Sequence, residues 1–530
     1  MTGRMASTRI GRSLDRFEDF PLLTGRGRYA GDLPVAAGTL YAAVLRSPHA
    51  HAEILAIDAS RALAMPGVEC VVTGEDARRW TRPFTAAVRS PIEHWCLATG
   101  RVRYQGEPVA VVVASDRYRA EDALEAVEVT YRPLPATVDP RAAAAVHGVV
   151  SDRRFRYGEP EAAFAAAAHR IAITTRYPRN ACTPVECFVV VAEYLRGGNA
   201  YEVTANFQGP LALHPVMARA LGVPANRLRL KTPPDSGGSF GVKQGVFPYI
   251  VLMAIAARKA GRPVKWVEDR LEHLLAANSA TNRLTTLEAA VTERGEILAL
   301  AWDQIEDCGA YLRAPEPATL YRMHGNLTGA YRVKNLTVRN RVVLTNKTPS
   351  GLNRGFGGPQ VYFALERLML RIAVTLGLDP LEVVRRNLVP SGAFPYHCPA
   401  GALLDSGDYS RAVETAVREG GLAELRARRD RARGEGRLYG IGYAAIVEPS
   451  ISNMGYITTV LTAAERERRA QERGADRRDR GARPAGRDQC GDRFGAARTR
   501  PPNRRRPGGR RGLWVAGGRD PGRHRARYRQ

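Results

Sequence analysis

Two glycine-rich stretches carry the residue types and spacing best suited to chemistry. The first, Asp235-Ser236-Gly237-Gly238-Ser239-Phe240-Gly241-Val242-Lys243, lies between a strand-like run at 228–231 and an apolar run at 246–257. Successive backbone N–H groups in such a loop can form an anion nest, and a helix beginning just beyond it adds favourable partial charge toward a phosphate. It is not a Walker A loop, because Lys243 does not directly follow the second glycine and no Ser or Thr comes after it. The second, Asn353-Arg354-Gly355-Phe356-Gly357-Gly358-Pro359-Gln360, leads straight into a long helical pattern. There Arg354 could engage a phosphate or hold backbone carbonyls, and Phe356 could wall an aromatic pocket. Each stretch taken singly also reads as a tight turn. Two of them, each with a Phe beside glycine, point to convergence on one ligand.

Other candidates are weaker. Gly25-Arg26-Gly27-Arg28-Tyr29-Ala30 fits dinucleotide spacing, but no strand precedes it and no helix follows, which sets it aside. Glu107, in Gln105-Gly106-Glu107-Pro108, reads as a turn residue opening a strand, with no acid partner nearby in sequence. His49 and His51 have an i, i+2 spacing that needs further ligands to hold a metal, and they read as a strand edge. Seven cysteines, at 70, 96, 182, 187, 308, 398 and 490, are odd in number and contain no C-x-x-C pair. Neither a zinc ribbon nor an iron–sulfur framework is encoded, and the thiols are expected to be reduced and mostly in packing.

The elements that must position the loops follow from periodicity. Short β-rich runs at 40–45, 69–73 and 109–114 alternate with a helical stretch at 117–127. A Pro-punctuated passage at 131–140 marks a boundary, after which helical signal at 160–168 and strands at 170–177 and 188–194 follow. The clearest helix is 359–376, with Phe363, Leu365, Leu368, Met369, Ile372 and Leu376 on one face, Glu366, Arg367 and Arg371 largely outside it, and Gly377 as its stop. Asp379 and Pro380 begin another helix as N-cap and first-turn residue, with Leu381, Val384 and Leu388 on its buried stripe. Strands and helices mix without a strict βαβ repeat, which gives an α+β class.

At 530 residues with 44% hydrophobic and 25% charged residues, the chain is an ordinary globular protein rather than a collagen-like, disulfide-scaffold or mostly disordered one. The apolar run at 247–257 is too short to cross a bilayer, and residues 1–12 lack a secretory hydrophobic segment, so a cytoplasmic location is expected. The net charge of +26 is partly local: residues 465–530 hold 22 Arg, no Lys and eight acids. That tract has almost no aliphatic periodicity and cannot form a core. It is expected to be either a shifted reading frame in a GC-rich gene, the favoured account, or a disordered arm. In both, a domain is interrupted after the β-like alternation at 456–460.

Taken in order, Ile10-Gly11-Arg12, Leu23-Thr24-Gly25-Arg26-Gly27-Arg28-Tyr29, Arg46-Ser47-Pro48-His49-Ala50-His51, the Gly237 loop and Arg354-Gly355-Phe356-Gly357-Gly358-Pro359-Gln360 resemble the molybdenum hydroxylases. The likeness is to the large, molybdopterin-binding subunit of the xanthine dehydrogenase and aldehyde oxidase family, which includes aerobic carbon monoxide dehydrogenases, over roughly residues 10–464. It implies an N-terminal arm (1–19), an α/β hammerhead domain (20–140), a first molybdopterin-binding domain with the start of a second (141–464), and the Arg-rich tail (465–530). The resemblance places Gln208, in Asn206-Phe207-Gln208-Gly209-Pro210, where a family Gln reaches an oxo ligand of molybdenum. Phe240 and Arg354 match residues lining the metal centre, within cofactor-binding loops that also contain Gly238, Ser239, Gly241 and Gly355. Phe356 matches an aromatic that sandwiches flat substrates, and Arg322 lies at the place of a substrate-orienting Arg in purine-hydroxylating members. Gln244 replaces the Glu that purine enzymes carry just after Lys243.

Exchanging a carboxylate for an amide removes a full charge from the pocket, so xanthine is disfavoured. Carbon monoxide is disfavoured too, because those enzymes place a copper-bridging Cys directly after the loop Arg, where Gly355 stands. The resemblance therefore implies hydroxylation of an aldehyde or N-heterocycle with water as oxygen source. The cofactor would be molybdenum-molybdopterin, in the cytosine dinucleotide form. Iron–sulfur clusters and FAD would sit on a small and a medium partner subunit, giving a heterotrimer. The family's general base, a Glu near the carboxyl end, has no counterpart in this chain, so activity of the chain alone is not expected. The rival expectation is a catalytically dead scaffold whose basic arm binds nucleic acid or acidic partners, but eight acids and sparse aromatics in the tract count against nucleic acid.

Overall fold

The structure, a computed structural model, describes residues 13–85, 88, 90–449, 459, 461–462 and 464–467. Residues 10–12, the alternation expected at 456–460 apart from residue 459, and the Arg-rich tract beyond 467 lie outside the described residues.

Two sheets organise the chain. The first has seven strands, in the order Leu228–Lys231, Ala200–Ala205, Val189–Leu195, Val264–Val267, Leu40–Arg46, Pro108–Ala114 and Val68–Val72. Leu40–Arg46 pairs parallel with Val264–Val267, in register Leu40 to Val264, and antiparallel with Pro108–Ala114. Strands from both sides of residue 140 thus share one hydrogen-bonded sheet. Every residue of Pro108–Ala114 is buried, as its unbroken run of Val and Ala requires of a strand covered on both faces. Against this sheet packs the helix Phe247–Ala260, in which residues 247–257 are all buried. An all-apolar helix of this length is a core element. Among the described residues no helix is long and apolar enough to cross a membrane.

The second sheet has five strands, in the order Ser151–Tyr157, Asn335–Val343, Ile297–Asp307, Asn282–Val291 and His169–Tyr177. The helix Gly358–Leu376 lies across it, touching His169–Tyr177 and Asn282–Val291. Gly377 ends that helix in the left-handed conformation, and Asp379 caps the next, Pro380–Asn387, by accepting from the N–H of Leu381 at 2.8 Å. Both helices match the sequence pattern, with two differences in face. Phe363 is 41% exposed, and Tyr362 takes the buried position instead. Glu366 is turned inward, where it accepts from the Tyr331 hydroxyl and the Ala445 N–H. The cause is the segment 441–447, which covers a side of the helix that its own periodicity leaves polar.

Candidate active site

The strand Leu228–Lys231 runs into the first glycine loop, and a short 3-10 turn, Val242–Val246, separates that loop from the core helix. Phe240 adopts φ +53°, a left-handed conformation uncommon for an aromatic residue. Its carbonyl is held from two sides, by the Arg354 N–H at 2.8 Å and the Cys182 thiol at 3.3 Å. Its ring, 45% exposed, lies under the Arg354 guanidinium at 5.1 Å. Gly241 has φ +108°, and a Cβ there would stand 2.8 Å from the carbonyl of Leu352. The glycine is what lets the two loops touch.

Gln208 is tied to the same loop. Its N–H donates to the Lys243 carbonyl at 3.3 Å, and its side-chain oxygen accepts from the Ser239 hydroxyl. Ser239 Oγ in turn accepts from the N–H groups of Gly241 and Lys243 at 3.3 and 3.1 Å. Gln244 lies within the 3-10 turn, and its Oε1 is buried without a protein partner. An unsatisfied buried acceptor costs roughly 1 to 3 kcal/mol, so this one fits a donor supplied by a ligand or water.

The second loop meets the first at the bond from the Arg354 N–H to the Phe240 carbonyl. Phe356 has φ +36° and packs partly against the cluster formed by Leu320, Tyr321 and Leu344. A small recess is lined by Asn180, Asn353, Arg354, Phe356 and Gln360. Arg322 reaches this loop, but its guanidinium is committed there: Nη1 donates to the carbonyls of Gly355 (2.7 Å) and Phe356 (3.2 Å), and Nη2 to Glu448 (2.9 Å). Gly355 has φ +97°, and a Cβ at this position would meet the Pro359 ring at 2.6 Å.

Contacts thus link the two loops to each other and to Gln208, Gln244 and Arg322, through Ser239, Gly241 and Gly355, and several residues that hold the loops carry no sequence signal of their own. Glu186 is the main one. Its carboxylate accepts from the N–H groups of Ala30 (3.2 Å) and Gly237 (3.0 Å) and pairs with Lys243 Nζ, a side chain only 1% exposed. Burial lowers the Lys243 pKa despite the opposing pull of Glu186. The Gly25–Gly27 stretch belongs to the same assembly, since the Arg28 N–H donates to Asp235 at 2.7 Å. Asn180 accepts from Asn353 Nδ2 at 3.1 Å, and buried Arg283, bidentate to Glu306, donates to the Thr319 carbonyl beneath the second loop at 2.9 Å. The local signal for these residues is faint: a single Glu ahead of a strand, whose partners stand 51 and 57 positions away.

The set-aside candidates are structural. His51 hydrogen-bonds the Pro135 carbonyl at 2.8 Å, and His49 packs edge-on against Tyr131. Glu107 sits in its turn but is buried, accepting from the Arg103 N–H and the Tyr311 hydroxyl, and burial pushes its pKa up to about 7.

Comparison with known proteins places this geometry. The family model described as molybdopterin cofactor-binding domain matches residues 143–388, and the aldehyde oxidase and xanthine dehydrogenase a/b hammerhead domain matches 24–135. The chain is 34% identical over 467 residues to the 6-hydroxypseudooxynicotine dehydrogenase complex subunit gamma of Paenarthrobacter nicotinovorans, covering 83% of this chain and 58% of that protein. It is 31% identical to the carbon monoxide dehydrogenase large chain of Afipia carboxidovorans, with the same coverage. The crystal structure of quinoline 2-oxidoreductase from Pseudomonas putida 86 superposes with a TM-score of 0.74 at 34% identity, over 80% of this chain and 56% of that one. The chain thus spans a little over half the length of these relatives.

Proposed function

Because this chain belongs to the xanthine dehydrogenase and aldehyde oxidase family of molybdenum hydroxylases, as a large, molybdopterin-binding subunit sequence, we propose that its two glycine loops jointly cradle the pterin-bound molybdenum of a hydroxylase acting on N-heterocycles or aldehydes. The observation that carries this is the contact between the loops, Arg354 N–H to Phe240 carbonyl, with Arg354 stacked on the Phe240 ring. The residues present fit the group: Gln208 and Ser239 present polar ends at the loop, Gln244 Oε1 lacks a partner, and Arg354 is exposed beside the recess. When bound, the molybdenum centre supplies two-electron oxidation of a carbon–hydrogen bond with oxygen drawn from water.

The chain's own residues then divide the work. Gln208, locked by Ser239 from the side chain and by Lys243 from the backbone, would present its side-chain amide to the metal. Gly241 and Gly355 let the loops fold closely on Leu352 and Pro359, and the loop residues Gly238, Ser239, Gly241 and Gly355 would hold the pterin. Phe356 presents an aromatic wall to a flat substrate, and Arg322 acts on that wall by fixing the carbonyls of Gly355 and Phe356. Gln244 hydrogen-bonds a substrate or ordered water with a neutral amide, which suits an uncharged or weakly basic ring better than xanthine. Carbon monoxide fits poorly: a copper-bridging thiol would have to stand at Gly355, where even a Cβ meets Pro359 at 2.6 Å.

In this reading the cofactor is the cytosine dinucleotide form. An iron–sulfur small subunit and an FAD-binding medium subunit take the electrons away. The complex is cytoplasmic, in keeping with free cysteines at 70, 96, 182, 187, 308 and 398. The test is turnover in ¹⁸O-water by the chain coexpressed with such partners and with the carboxyl-terminal part of a relative, which carries the Glu this chain lacks, offered quinoline, an aromatic aldehyde, xanthine and carbon monoxide in turn. Label incorporation into the hydroxylated heterocycle or the carboxylic acid is expected, at rates at least tenfold above xanthine. Oxidation of carbon monoxide, or no label in any product from molybdenum-loaded complex, would defeat the proposal.

A further inference from the structure

Behind the first glycine loop lies a second group of chemistry-bearing side chains. Cys187, Glu268 and His273 each bring one ligand atom to a common point, all within 4.8 Å of one another. Cys187 precedes the strand Val189–Leu195, Glu268 follows the strand Val264–Val267, and His273 lies on the helix Arg270–Ala276. The two strands are paired, Val267 opposite Val189, and the Glu268 N–H continues their ladder by donating to the Phe188 carbonyl at 2.9 Å. The cluster is therefore built by the first sheet, not by a mobile surface.

The hydrogen bonding of His273 is what singles the cluster out. Its ring and the Glu268 side chain are both 0% exposed. Nε2 faces the Cys182 carbonyl at 3.1 Å, an acceptor, so a proton stays on that nitrogen. Nδ1 faces Glu268 Oε2 at 2.7 Å. At 2.7 Å Nδ1 and the carboxylate oxygen are at hydrogen-bond distance, and a metal takes the place of the shared proton once the two side chains move apart. Two observations favour a metal. Glu268 Oε1 is buried with no hydrogen-bond partner. Cys187, half-buried, supplies a sulfur ligand and a path from solvent. A metal-binding His that donates its other N–H to a backbone carbonyl is the usual second-sphere arrangement.

We propose that Cys187, Glu268 and His273 form a binding site for a zinc-class divalent cation, through Sγ, a carboxylate oxygen and Nδ1, with water as fourth ligand. The S, N, O donor set suits zinc, whereas calcium and magnesium prefer oxygen alone. Tetrahedral zinc at ordinary bond lengths holds its ligand atoms about 3.3 to 3.6 Å apart, so side-chain movements of about 1 Å close the cluster. Of the two cations acting on Cys187, Lys243 is already paired with Glu186 and Arg270 is offset by Asp269. The site is independent of the molybdopterin reading, but Cys187 adjoins Glu186, so an ion there would stiffen the segment that clamps Gly237.

The test uses the full chain, stripped by chelator and titrated with Co²⁺ and then Zn²⁺. One equivalent of Co²⁺ should produce a near-ultraviolet thiolate-to-cobalt band that Zn²⁺ abolishes. C187S should lose the band, and E268Q should weaken Zn²⁺ binding at least tenfold. If either variant fails to fold, alkylation of the wild-type chain decides: zinc should slow iodoacetamide labelling of the Cys187 peptide at least tenfold. Absence of the band in the wild type, its persistence in C187S, or unchanged labelling of Cys187 would each overturn the site and leave His273 as a structural hydrogen-bond partner of Glu268.

Discussion

At the scale of single residues, the reactive-looking positions depend on groups that do no chemistry themselves. Glu186 is the clearest, a carboxylate that joins residues 30, 237 and 243. Removing one member of a buried ion pair strands the other, at a cost of about 3 to 5 kcal/mol, whereas replacing both with apolar groups costs less. Glu186→Gln should therefore lower the free energy of unfolding by about 3 kcal/mol, measured by urea denaturation, and Glu186→Leu combined with Lys243→Met should recover part of that loss. If the double variant is no more stable than the single one, the pair is not what holds the loop. Phe240, Arg354 and Phe356 stand out in the sequence because each adjoins a glycine, which advertises an unusual backbone. Glu186 does not, since nothing within a few residues of it hints at Ala30, Gly237 or Lys243. Arg322 stands out in the sequence only through the family resemblance, and its use on two backbone carbonyls and Glu448 depends on contacts 33 to 126 positions away.

At the scale of elements, the helix Gly358–Leu376 shows what periodicity captures and what it leaves out. Its apolar stripe, Leu365, Leu368, Met369 and Ile372, is buried as the spacing requires. The second covered face depends on a remote segment: Tyr362 donates to the Val447 carbonyl at 3.0 Å, and the Ala445 N–H donates to Glu366 at 3.1 Å. Burial is the largest influence on Glu366 and pushes its pKa up from 4.5 to about 7. An acid whose folded pKa lies above its unfolded value binds protons more tightly when folded. Its contribution is thus fully present below about pH 4.5, declines as pH rises toward 7, and is flat above that. Glu366→Gln, which keeps an acceptor for Tyr331 and removes the charge, should leave stability at pH 4.5 nearly unchanged and raise it at pH 8 by about 1 to 3 kcal/mol. Thermal melts at the two pH values check this. Equal effects at both would mean that Glu366 is not a buried charge at neutral pH.

At the scale of the whole molecule, two sheets and two glycine loops, each formed from segments far apart in sequence, arrive at one place. Residues 228–247 come off the edge of the first sheet, and residues 350–360 lead into the helix on the second, so the loops meet only if the sheets are correctly placed against each other. That juxtaposition could be anticipated from the order and spacing of motifs, but not from either loop alone. The close approach at Gly241, where a Cβ would press on the Leu352 carbonyl at 2.8 Å, makes the meeting point open to direct challenge. The decisive measurement is the molybdenum and pterin content of the chain purified from a molybdenum-replete host, with and without Gly241→Val, circular dichroism serving as the check on folding. About one molybdenum per wild-type chain and at least tenfold less in the folded variant are expected. A wild-type chain free of molybdenum and pterin, or a variant that retains both in full, would contradict a shared cradle.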